Sequence, residues 1–82
     1  MLTPTQIKNV LKDGTGINSV VVTGDGYHFE VVVVSDLFDS LSRVARQQFI
    51  YDKLNPWILS GELHAISLKT YTEAEWGKQK IG

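Results

Sequence analysis

The stretch Ile17-Asn18-Ser19-Val20-Val21-Val22-Thr23-Gly24-Asp25-Gly26-Tyr27-His28-Phe29-Glu30-Val31-Val32-Val33-Val34-Ser35 decides the fold. Two runs rich in β-branched residues, 17–23 and 27–35, flank Gly24-Asp25-Gly26, which is turn chemistry, so the segment reads as a β-hairpin. In the second run Phe29, Val31 and Val33 share one face, and His28, Glu30, Val32 and Val34 share the other. Both faces are partly apolar, which predicts a strand that is central or covered at its far end.

On the N-terminal side, Thr3-Pro4-Thr5-Gln6 opens a short helix. Thr3 caps the free amides, Pro4 fits the first helical position and Gln6 closes a capping box. Ile7, Val10 and Leu11 fall on one face, and Asp13-Gly14 supplies the stop, with Gly14 suited to a left-handed position.

On the C-terminal side, Ser35-Asp36 offers caps for a helical stretch in which Leu41, Val44, Ala45 and Phe49 recur at helical spacing, running to about Asp52. Asn55-Pro56 then restarts a short helix that Gly61 ends, giving a helix–turn–helix-like unit. Residues 63–71 read as a third strand with His64, Ile66 and Leu68 on one face. Thr72-Glu73-Ala74-Glu75 is a second capping box, opening a turn or two around Trp76, and 77–82 reads as a frayed tail. The order α-β-β-α-α-β-α makes this one α+β domain spanning residues 1–82. A helical crossover joins the second and third strands, which favours parallel neighbours and a three-stranded mixed sheet with helices on one face.

Composition narrows the function classes. With 82 residues, 43% of them hydrophobic, and no cysteine, the fold rests on packed apolar side chains and suits a reducing cytoplasm. Met1-Leu2-Thr3-Pro4 shows no basic region and no long apolar run, so neither a secretory signal nor a membrane span is expected. The formal net charge is −1, whereas a dedicated nucleic-acid binder carries a basic excess, so any such role must rest on a local patch. Arg43, Arg46 and Lys53 supply one on the helix–turn–helix-like unit, beside Asp39 and Asp52; it reads as a solvated face or a partner-docking surface. No Ser–His–Asp set, paired-carboxylate site or zinc spacing stands out, so an enzyme is not expected. His28 opens the second strand and His64 the third. Parallel neighbours would therefore bring both histidines to the same end of the sheet.

The run Leu37-Phe38-Asp39-Ser40-Leu41-Ser42-Arg43-Val44, followed by Gln47-Gln48, Tyr51 and Leu54, resembles the BolA signature. So do Leu63-His64-Ala65-Ile66-Ser67, Thr70-Tyr71-Thr72, Glu75-Trp76 and the hairpin segment Gly24-Asp25-Gly26-Tyr27-His28-Phe29. The likeness covers nearly the whole chain and is closest to the IbaG/YrbA-like bacterial subgroup. Ser40 departs from it, standing where the pattern usually has Gly. The resemblance implies an αββααβ fold related to class II KH domains. It also implies a non-catalytic adaptor in iron–sulfur handling and stress response. The implied partner is a monothiol glutaredoxin with glutathione, sharing a bridging [2Fe–2S] cluster, with no cofactor expected on the isolated chain. The family's histidine ligand maps to His64, and a second ligand from the region between the first two strands maps to His28. Histidine can replace thiolates on one iron of such a cluster, so a chain with two histidines and no cysteine needs a partner's sulfur. The alternative the resemblance carries is a transcriptional regulator binding DNA through Arg43, Arg46 and Lys53. Against RNA clamping, the stretch 52–57 lacks the glycines of a Gly-x-x-Gly loop. Whether the chain alone forms a homodimer is left open.

Overall fold

The computed structural model describes residues 1–13 and 16–81, with side chains as far as Gln79. Helix α1 (Pro4–Lys12) is followed by β1 (Ser19–Gly24), β2 (His28–Val34), a 3-10 turn (Asp36–Ser40), α2 (Arg43–Ser60), β3 (Ala65–Tyr71) and α3 (Glu73–Ile81). The strand order is β1-β2-β3, with β1 antiparallel and β3 parallel to the central β2. This is the expected α+β class with a three-stranded mixed sheet.

Local chemistry accounts for most element ends. Thr3 Oγ1 accepts from the Gln6 amide, and Gln6 Oε1 accepts from the Thr3 amide at 2.8 Å, the reciprocal box read from sequence. Of the face read for α1, Ile7 and Leu11 are fully buried, whereas Val10 is exposed. Gly14, read as the helix stop, lies outside the described residues. Thr72 and Glu75 form the second box: the Thr72 amide donates to Glu75 Oε1 at 2.9 Å and the Glu75 amide to Thr72 Oγ1 at 3.2 Å. From that box α3 continues to Ile81, where a turn or two and then a loose tail was expected.

The apolar face of β2 organises the core. Phe29, Val31 and Val33 meet Ile7 and Leu11 of α1 and Ile50 and Leu54 of α2 in one cluster completed by Phe38 and Leu63. Each such side chain contributes about 1.5–3 kcal/mol on burial, which is what a chain without cross-links depends on.

The segment read as helix–turn–helix is built differently. Residues 36–40 form a short 3-10 turn, and a single 18-residue helix then runs from Arg43 to Ser60 with Pro56 inside it. Proline removes one backbone bond and crowds the preceding turn, but Pro56 is solvent-facing, and Ile50, Leu54 and Trp57 make an unbroken stripe against the core. That stripe carries the helix across the proline. The inward face of α2 is Arg46, Ile50 and Leu54, whereas Val44 is 78% exposed. No non-glycine residue has positive φ among the described residues, so Ser40 fits its place without a glycine-type backbone.

Candidate functional site

His28 and His64 reach the same end of the sheet. His28 is the register partner of Ala65, which places His64 beside Tyr27 one step before the parallel pairing begins. Successive side chains on a strand point to opposite faces, and the two rings follow that rule. His28 Nε2 lies 3.1 Å from Ser67 Oγ, two residues beyond its register partner, on the face turned away from α1 and α2. His64 stacks on Tyr27, with ring centroids 5.4 Å apart and planes inclined by 19°. The backbone positions converge as expected; the rings have separate neighbours on the two sides of the sheet.

Two local devices hold the rim. Asp25 Oδ1 accepts from the Tyr27 amide at 2.9 Å and the His28 amide at 3.0 Å, fixing the turn that presents both aromatic rings. Those two amide bonds, His28's the larger, hold the Asp25 carboxyl below the usual range, so it is ionised at neutral pH. A Cβ on Gly24 would lie 2.5 Å from the His28 carbonyl oxygen, so the strand end tolerates only glycine there. Across the rim, the left-handed Gly61 ends α2 and the chain passes Glu62 and the buried Leu63 to His64. Met1, Leu2, Asp25, Gly26, Tyr27, Glu62 and His64 bound a cleft of about 430 Å³. His64 is exposed, and among the described residues its ring nitrogens have no hydrogen-bond partner in the chain.

Sequence reading missed Tyr27 as the neighbour of His64. The signal was present: with β2 and β3 parallel, Tyr27 and His64 occupy equivalent positions just before their strands. No group of three or more His, Cys, Asp or Glu able to hold a metal is found among the described residues. No helix there is long and apolar enough to cross a membrane.

The expected basic patch does not form as one surface. Arg46 is turned inward at 7% exposure. Its Nε donates to the Phe38 carbonyl at 3.0 Å and the Leu41 carbonyl at 3.2 Å, and its Nη1 pairs with Glu75 at 2.8 Å. Lys53 Nζ sits 5.0 Å from the Phe49 ring centroid. Only Arg43 is both exposed and in the first turn of α2, some 15 Å along the helix axis from Lys53. Residues 52–57, considered above for a nucleic-acid loop, are helical.

Fold and rim together define a small mixed-sheet domain that presents a free imidazole at the parallel end of its sheet. The chain belongs to the BolA family: the family model described as BolA-like protein matches residues 4–75. It is 43% identical over 75 residues to the acid stress protein IbaG of Escherichia coli K12, covering 92% of this chain and 89% of that one. Among solved structures, a BolA protein homologue from Coxiella burnetii superposes with a TM-score of 0.81 at 35% identity, covering 94% of this chain and 99% of that one. The BolA domain of SufE1 from Arabidopsis thaliana gives 0.76 at 29% identity, covering 92% and 99%.

Proposed function

We propose that this BolA-family chain is a non-catalytic adaptor that completes a [2Fe–2S] cluster begun by a monothiol glutaredoxin and glutathione, in iron–sulfur and stress-response handling. The observation that carries the reading is the state of His64: exposed, oriented by Tyr27 and with both ring nitrogens free within the chain. An imidazole so placed is available to a metal, because Tyr27 sets its ring plane and neither nitrogen is occupied within the chain; the second nitrogen's partner would come from water or the partner protein. When bound, the cluster supplies the iron and bridging sulfide, and its thiolates come from the partner, since this chain has no cysteine.

His28 is the second ligand in this reading. Its ring lies on the other side of the sheet from His64 with Nε2 on Ser67, so it joins the same cluster only by giving up that bond and turning around the strand end toward His64. The family relationship supports the reading, and the name of the E. coli relative supports a place in stress response. DNA binding loses ground, because Arg46 is committed to Glu75 and two backbone carbonyls.

The test is anaerobic reconstitution with a monothiol glutaredoxin, glutathione, iron and sulfide, followed by absorption and circular dichroism spectra. A heterocomplex whose spectrum differs from the glutaredoxin homodimer's, and which reverts in His64→Ala, is expected. An unchanged spectrum and complex in His64→Ala would remove the assignment.

A further inference from the structure

We infer that the free edge of β3, where it meets the first turns of α2, takes an extended acidic segment of another protein. This surface is independent of the histidine rim. β3 is an outer strand of the sheet. The Ser35 amide donates to the Tyr71 carbonyl at 2.9 Å, so the backbone groups of Tyr71 face β2. Alternation along the strand turns the N–H and C=O of Leu68 and Thr70 the other way, toward the open edge. Among the described residues these outward groups have no hydrogen-bond partner; Lys69 is exposed and Leu68 half-buried, whereas Thr70 is buried, so the accessible part of the edge centres on Leu68 and Lys69. Beside them lies a cleft of about 230 Å³ bounded by Arg43 and Gln47 of α2 and by Leu68, Lys69, Thr70 and Tyr71. An added strand would satisfy the free main-chain groups and present alternate side chains to the two sides of the edge.

Charge selects the occupant. Arg43 and Lys69 are exposed, and the one ion pair among the described residues is Arg46–Glu75. Glu75 feels the Arg43 charge, but its carboxylate is already engaged by Arg46 and the Thr72 amide. Lys69 also borders a depression with Glu30 on the opposite face. A second copy of this chain paired edge to edge in the register centred on Lys69 would oppose the two lysines, and a lysine on an edge strand disfavours such pairing in general. The same cations attract carboxylates. Arg43 lies on the helix side of the sheet and Lys69 alternates to the other side, so acidic residues at two consecutive positions of the incoming strand meet one cation each. Two cations with Arg46 internal are too few for a phosphate-tracking surface.

The experiment titrates the ¹⁵N-labelled full chain with a capped ten-residue peptide carrying Glu-Glu at its centre and alternating Thr and Val on either side. A Gln-Gln counterpart and a single-stranded oligonucleotide serve as comparisons. Expected are shifts and slowed hydrogen exchange at the Leu68 and Thr70 amides with the Glu-Glu peptide, and at least several-fold weaker binding of the Gln-Gln peptide. Arg43→Gln and Lys69→Gln should each weaken binding by roughly three-fold, and His64→Ala should leave it unchanged, which separates this surface from the cluster site. No response at Leu68 and Thr70 at millimolar peptide, equal response to both peptides, or stronger binding there by the oligonucleotide would overturn the inference.

Discussion

The ring of Tyr27 lies over that of His64, 5.4 Å between centroids and 19° from parallel, joining the turn before β2 to the loop before β3. The contact places one imidazole face against an aromatic plane, while the residue stays exposed at the edge of the cleft and its nitrogens have no hydrogen-bond partner among the described residues. Since Tyr27 is 68% exposed, the pair contributes orientation more than stability.

Tyr27→Ala is therefore expected to cost less than about 1 kcal/mol in stability, while His64 loses its fixed ring orientation. In proton NMR of the isolated chain the His64 ring protons should move downfield as the ring current disappears, and Tyr27→Phe should keep the wild-type shifts. Identical His64 shifts in all three proteins would mean that the rings do not stack in solution.

The Arg46–Glu75 pair ties α3 to the first turn of α2, while Arg46 Nε holds the turn before it, and this tie sets an acid limit. The Arg46 side-chain bond, with the Thr72 amide second, holds Glu75 below the usual glutamate range. A carboxyl lowered by folding contributes stability above its unfolded value, about pH 4.3, and loses it as pH falls through the lower folded value. Glu75→Gln should remove that part of the slope in urea midpoints measured from about pH 7 down to 3, with Asp25, also lowered, supplying slope in the same direction in both proteins. Arg46→Ala should cost about 2–3 kcal/mol at neutral pH, because the Phe38 and Leu41 carbonyls lose their buried donor. A pH slope identical in wild type and Glu75→Gln would refute the tie.

Pro56 is interior to α2 and solvent-facing, so its substitution distinguishes one helix from two. Pro56→Ala restores a helical hydrogen bond and should stabilise the chain by about 1–3 kcal/mol in thermal unfolding. At the first position of a separate helix the same change would be neutral or destabilising, and that outcome would contradict the continuous helix.

Much of this protein was written locally in its sequence. Thr3 with Gln6, Thr72 with Glu75, the Gly24-Asp25-Gly26 turn and the alternation through β2 each act through residues a few positions apart. Their hydrogen bonds and steric limits are therefore the same before and after the chain packs. The helical crossover likewise foretold parallel β2 and β3, and with it the meeting of the two histidine positions at one end.

Only the tertiary structure decided the rest. Arg46 reads as a surface cation until Phe38, Leu41 and Glu75 come together around it and offset its desolvation. Pro56 reads as a helix start until the stripe formed by Ile50, Leu54 and Trp57 finds the core and outweighs one missing bond. The separate neighbours of His28 and His64 depend on register across strands, which no local hydrogen bond encodes. In each case the deciding energy belongs to a partner distant in sequence, so it exists only once the sheet and helices have assembled.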